Sequence, residues 1–300
     1  MKSARSLLAL PAVLAACASG RFQPAGDDIE DPVDAAPAVD TGTTDADPAP
    51  SDAPSPDAPP SAAAGLLLSE IAVAPNASEM IELYNPTAAP VALRDYYLTD
   101  VPTYFRLPAA GHTVETSDFI ARFPAGATIP AGGVVTVALD TAASFTAAAG
   151  VAPTYSVASA TMELVAGSAP TLTNTGEPVV LFFWDGTSDR VVDVDVMIVG
   201  APTAANALVN KSGVAIDGPD ADAAATPYAT DAMTIAAQAA APASGLSTKR
   251  VGRESAATET QTGGNGVLGQ DETSEQTQTT WDAGTYSALT PGSVPAALLN

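Results

Sequence analysis

From Gly65 onward the chain is a succession of short apolar runs closed by Gly, Pro, Asn or Asp, with a period of two rather than 3.6. Leu66-Leu67-Leu68-Ser69-Glu70-Ile71-Ala72-Val73 reads as a strand. In Met80-Ile81-Glu82-Leu83-Tyr84, Ile81 and Leu83 face one way and Glu82 the other, because successive strand side chains point to opposite faces. Asn85-Pro86 turns the chain, and Val91-Ala92-Leu93 and Tyr96-Tyr97-Leu98 make a third strand region. Residues 129–133 are a Pro/Gly turn into the strand 134–139. Residues 179–184 are nearly all apolar, Asp185-Gly186 closes them, and 191–196 alternate again. Helix-period stretches are few and alanine-rich, at 201–207 and 234–241. Short strands at this spacing predict an all-β sandwich.

Composition says what such a sandwich is made of. Hydrophobic residues are 46% of the chain but aromatics only 5%, so the core rests on Val, Leu, Ile and Ala. Acidic residues number 34 against 11 Lys and Arg, for a formal charge of −23. A surface that negative repels phosphate backbones, which excludes nucleic acid as a partner. It favours solubility and cation binding. A single Cys excludes an intramolecular disulfide, and with His112 as the one histidine, Cys/His zinc sites are excluded too.

The N-terminus has a different character. Lys2 and Arg5 precede an apolar run, residues 7–14, too short for a bilayer but suited to a signal peptide. It ends in Leu14-Ala15-Ala16-Cys17. This resembles the lipobox of bacterial lipoproteins, which implies cleavage after residue 16 and attachment of diacylglycerol to the Cys17 thiol. Two or three acyl chains anchor stably where one does not. Ala18, which is not Asp, points by the same analogy to the outer membrane or cell surface. Without Lys2 and Arg5 the mature chain has nine cations against 34 acids, or −25. Residues 24–63 hold nine prolines, ten acids, no Lys or Arg and no aromatic. Such a segment buries too little apolar surface to offset ordering entropy, and residues 17–63 are therefore expected to be a disordered tether. At about 3.1 Å per residue in polyproline II its reach is on the order of 100 Å.

Several blocks of the strand-rich region, in order, resemble the lamin-tail domain. They are Ser69-Glu70-Ile71, Ile81-Glu82-Leu83-Tyr84-Asn85-Pro86, and Val91-Ala92-Leu93 through Leu98-Thr99-Asp100. Residues 123–133 follow, then Leu172-Thr173-Asn174-Thr175-Gly176-Glu177 through Trp184-Asp185-Gly186 and Val192-Asp193. The resemblance covers about 66–200. Residues 245–250 resemble a late strand of bacterial members, and Trp281 with Thr290-Pro291-Gly292 their usual end. It implies an immunoglobulin-like β-sandwich with insertions at roughly 141–170 and 201–244, completed by 245–295 within a domain of 64–300. It also implies an adhesion or interaction module, with an envelope protein or a polysaccharide as the expected partner.

Candidate chemistry is sparse. His112 sits in a loop, Gly111-His112-Thr113-Val114-Glu115, with no Gly-x-Ser-x-Gly elbow in company. Residues 64–300 hold 24 carboxylates (34 less the ten of 24–63), and no spacing marks a catalytic pair. Asp217-Gly218-Pro219-Asp220-Ala221-Asp222 and Asp271-Glu272-Thr273-Ser274-Glu275 offer oxygens to calcium without EF-hand spacing and read as solvated acidic loops. Lys249, Arg250 and Arg253 form the one basic cluster, expected on an exposed strand. Phe182 and Trp184 are expected in the core rather than along a ligand groove. The expectation is a lipid-anchored, non-catalytic β-sandwich module with no catalytic residue, cofactor or metal; the alternative is a hydrolase using carboxylates or a bound metal.

Overall fold

The structure, a computed structural model, describes residues 63–168, 170–174, 176–200, 209–230, 240–273, 277–282 and 284–299. The signal segment, Cys17, the tether to residue 62, the stretch 201–207 and most of 234–241 lie outside the described residues. The strands are β1 (Leu67–Ala72), β2 (Met80–Tyr84), β3 (Val91–Ala92), β4 (Tyr96–Thr99), β5 (Phe119–Arg122), β6 (Thr128–Ile129), β7 (Val134–Ala138) and β8 (Tyr155–Ser156). They continue with β9 (Glu163–Gly167), β10 (Gly176–Phe183), β11 (Val192–Gly200), β12 (Ala215–Ile216), β13 (Thr226–Pro227), β14 (Leu246–Lys249) and β15 (Ser287–Ala288).

Two sheets pack face to face. One runs β15-β14-β1-β2-β7-β8 and the other β11-β10-β4-β5-β9. Their pairings are antiparallel except β7 with β8. Ile81, Leu83, Val135 and Val137 of the first sheet meet Leu98, Phe119, Val179 and Leu181 of the second in one core. Trp281 is buried in that core. This is the immunoglobulin-like all-β sandwich expected from the sequence, and residues beyond 245 add β14 and β15 to the edge of its first sheet.

Both outer faces are covered as well. Tyr97, Ile120, Val180 and Phe182 on the outside of the five-stranded sheet pack under Tyr104, Phe105, Ile216 and Tyr228. Phe182 stacks on Tyr97 with ring centroids 5.0 Å apart, so it is a core residue. Trp184 is half-buried beside it and donates its indole N–H to the Ser188 carbonyl at 2.8 Å. On the other sheet, Met80 and Ala138 pack under Phe145 of helix α1 (Ala142–Ala149). That helix begins where the Thr141 side chain accepts from the Ser144 amide, and it ends at Gly150 with φ +78°.

Two β-bulges decide where charged side chains go. In β11 the pairing steps from Leu181↔Asp195 to Phe182↔Asp193, leaving Val194 as the extra residue. Simple alternation places Asp193 and Asp195 on one face, but the bulge separates them. Asp193 joins the outer layer, accepting from the Tyr104 hydroxyl at 2.6 Å and pairing with Lys211. Asp195 turns inward to the six-stranded sheet. In β1, Ser69 is the extra residue between Leu68 and Glu70. There the Leu68 amide donates to Asp195 Oδ2 at 2.5 Å, and Arg250 Nε donates to the Leu68 carbonyl at 2.6 Å.

Arg250 corrects the expectation of an exposed basic cluster. It is fully buried, bridges Asp195 and Glu254, and lies 5.1 Å from the centroid of Trp281. Opposite charges and an aromatic face offset its desolvation, so it clamps sheet to sheet rather than facing a partner. Lys249 is largely covered, with Nζ 3.6 Å from Glu70, and of the three only Arg253 is exposed.

Candidate functional site

Buried carboxylates collect in two places. The first is the outer face of the six-stranded sheet, where Glu70 and Glu82 stand directly opposite one another in the β1–β2 register, both without solvent exposure. Like charges so placed repel. Donors crowd in on both. Glu70 accepts from the Ser247 hydroxyl (2.6 Å), the Thr290 amide (2.8 Å) and the Thr290 hydroxyl (2.6 Å). Glu82 accepts from the Thr136 hydroxyl (2.8 Å), the Gly292 amide (2.6 Å) and the Ser69 hydroxyl (3.3 Å). The segment around Thr290–Gly292 thus lies across the face as a strap. Burial raises Glu82 to about 7 against the pull of those donors.

The second place is one end of the five-stranded sheet. Asp100 follows β4, Asp118 precedes β5 and Glu177 is the second residue of β10, so three carboxylates issue from neighbouring strand ends. Around them is a cleft of about 420 Å³ lined in part by Val101, Thr113, Glu115 and Thr173. Asp100 is 3% exposed; its Oδ1 accepts from the Phe119 amide at 2.8 Å, while Oδ2 is buried and takes no hydrogen bond from another residue. Glu177, also buried, takes the Thr173 amide on Oε1.

Electrostatics follow from that geometry. Burial pushes the Asp100 carboxyl up to about 9, the Phe119 amide opposes it, and the charges of Glu177 and Asp118 add to the rise. Burial raises Glu177 to about 7, opposed by Thr173, with repulsion from Asp118 and Glu79. Asp118 is raised by burial too, the Ser117 hydroxyl opposing and Glu115 adding to it. With one hydrogen bond from another residue, Asp100 goes higher than Glu82 does with two hydroxyls and one amide. The cleft is a convergence of oxygens short of donors, fitted to a cation or to proton exchange, and not to an anion. Sequence reasoning assigned no role to Asp100 or Glu177. Each lay in a recognisable strand block, and nothing in either block signals the other.

The residues singled out from the sequence fall elsewhere. Asp217 and Asp220 meet Asp189, the three offering oxygens within 4.8 Å of one another. Asp189 already accepts from the Gly218 amide (2.7 Å) and the Thr226 hydroxyl (2.5 Å), which holds the loop closed. Asp222 is exposed and outside that group. Asp271 and Glu272 correct the reading of a solvated loop: both are buried, with Asp271 Oδ1 accepting from Thr273. His112 is half-buried, and burial with nearby Arg106 lowers its pKa.

A protein from Bacteroides thetaiotaomicron, described as a member of the DUF4876 family, is similar at 12% identity with a TM-score of 0.38, covering 77% of this chain and 74% of that one. No curated protein matches. The family described as Lamin Tail Domain matches residues 59–217, which is 159 of the 300 residues. With its blocks in order and its two-sheet sandwich, the chain belongs to the lamin tail domain family.

Proposed function

We propose that this protein is a lipid-anchored component of the bacterial envelope that presents a non-catalytic lamin-tail sandwich at the cell surface, held off the membrane by its acidic tether. The observation that supports it most is the sandwich of this family, whose first strand begins at Leu67 soon after a Pro- and Asp-rich stretch of sequence that itself follows Leu14-Ala15-Ala16-Cys17. Cys17 is the lipid attachment residue in this reading. The partner is an envelope protein or a polysaccharide, reached by a tether of about 100 Å at full extension. Expression of the full chain in a Gram-negative host tests the anchor. The wild type is expected in the detergent phase of a temperature-induced partition, with a diacylated N-terminal peptide by mass. Cys17→Ser is expected in the aqueous phase. A wild type that partitions with water and carries no lipid removes the anchoring half of the proposal.

One observation favours a second reading, a carboxylate hydrolase. Asp100 and Glu177 converge in a cleft and both hold their protons above the ordinary carboxylate range, as general acids do. Turnover of a panel of chromogenic glycosides and esters that disappears in Glu177→Gln would establish it. The absence of turnover at any pH between 5 and 9 leaves the presentation reading in place.

A further inference from the structure

We propose that the cleft at the end of the five-stranded sheet binds a divalent cation of the calcium class through Asp100 Oδ2 and Glu177, with Asp118 and Glu115 completing the acidic ring. The inference does not depend on the lipid anchor.

The cleft contains four carboxylates, from Asp100, Glu115, Asp118 and Glu177, and among its lining residues no Lys, Arg or His. That imbalance is not by itself a site, since acidic recesses on an acidic protein are common. The decisive feature is Asp100. A side chain 97% buried is held by the Phe119 amide on one oxygen, while the other, equally buried, receives nothing from another residue, and Asp100 is itself one of the residues that line the cleft. Desolvating a carboxylate oxygen without a partner is costly, and native folds rarely leave one so. The Glu70–Glu82 face shows how this fold satisfies buried acids when their role is structural: it supplies hydroxyls and amides to each. The cleft has Ser117, Thr103 and Thr113 on its lining, yet none of them bonds Asp100 Oδ2.

The ligand that suits this environment is a hard cation. Calcium takes six to eight oxygens in a tolerant geometry, about 2.3–2.6 Å away, and accepts carboxylates, hydroxyls and water together. Magnesium demands a near-octahedral shell about 2.1 Å away and keeps its waters, which a roomy, irregular cleft does not reproduce. Zinc prefers nitrogen and sulfur, and the lining offers neither. Loading displaces the protons held on Asp100 and Glu177, so binding at neutral pH releases acid.

The test uses the full chain carrying Cys17→Ser, titrated with calcium chloride in a calorimeter. Binding with a Kd of about 10⁻⁴–10⁻³ M is expected, the range of extracellular calcium modules. It should be weakened at least tenfold in Asp100→Asn and in Glu177→Gln, and unchanged in the double variant Asp217→Asn/Asp220→Asn. Repeating the titration in buffers of different ionisation enthalpy should show net proton release. To separate loss of the site from misfolding of a variant, the site is also read on the parent chain by amide NMR. The Phe119 and Thr173 N–H groups, which donate to Asp100 and Glu177, are expected to shift with calcium, and the Gly218 N–H, which donates to Asp189, is not. Binding lost only in the Asp217/Asp220 variant, shifts confined to Gly218, or no heat and no shifts at 10 mM calcium would each overturn the proposal.

Discussion

The Glu70–Glu82 face and the Asp100–Glu177 cleft start from the same problem and differ in the answer. Each holds acids that are almost wholly removed from water. On the face, a serine or threonine from β1, β7 or β14 and the amides of the C-terminal strap converge until every carboxylate has several donors. In the cleft, the other-residue donors are fewer, the Phe119 amide on Asp100 and Thr173 on Glu177, and Asp100 Oδ2 receives nothing from another residue. Burial alone does not separate a structural acid from a functional one; the donor count around it does.

The comparison can be pushed until it breaks. Asp195 is a mixed case, since Arg250 and the Leu68 amide both meet its Oδ2 while its Oδ1 takes no hydrogen bond. Arg250→Met should therefore cost about 3–5 kcal/mol in urea denaturation, because it leaves a buried charge alone. A loss under about 1 kcal/mol would mean that the clamp is decorative. Stripping donors from the face comes next: Thr136→Val with Thr290→Val should cost about 2–3 kcal/mol, and should move Glu82 further up from about 7.

Third is pH. Glu82, Glu177 and Asp100 titrate higher folded than unfolded, so the native state holds more protons than the unfolded state between about pH 4.5 and 7, and for Asp100 up to about 9. Their ionisation opposes the fold, so stability is greatest in mild acid and declines as pH rises through those values. A thermal melt should lose at least about 2 kcal/mol, or several degrees, between pH 5.5 and 8.5. A flat or rising profile would contradict the assigned burial. The smallest effect is expected of Asp100→Asn without added cation. Below pH 9 the carboxyl already carries its proton, so an amide of the same shape changes stability by less than about 1 kcal/mol. A large loss there would make Asp100 another structural acid.

Much of the sandwich was legible because period-two alternation and Gly/Pro punctuation are local signals. The strand at 66–73, Met80-Ile81-Glu82-Leu83-Tyr84, and the runs at 134–139 and 179–184 all became strands. What was not legible depends on partners far away in sequence. Glu82 points away from the core as its alternation requires, yet the surface it points to is covered by residues more than 200 positions later. The bulge at Val194 breaks the register that makes Asp193 and Asp195 look like neighbours on one face. Helix α1 hides in an alanine-rich stretch with little pattern of its own, although Thr141 and Gly150 are ordinary cap signals that mark its ends. Arg250 reads as surface because nothing near it announces Asp195 or Trp281. The cleft is a further case, assembled from strand ends belonging to blocks that are 77 residues apart at Asp100 and Glu177.

The strap over Glu70 and Glu82 has a consequence for timing. β1 is the first strand of the described chain, but its outer neighbour β14 begins at Leu246 and the donors to its glutamate arrive only at Ser247 and Thr290. A chain being synthesised, or threaded through a membrane pore from its N-terminus, therefore carries β1 with one edge open and Glu70 bare until β14 is free, and Glu70 gains its remaining donors only with Thr290. Contacts this distant in sequence make closure slow. The sandwich is thus finished by its tail, and a chain stopped before β14 is left with an unpaired acid and an open edge rather than with a smaller domain.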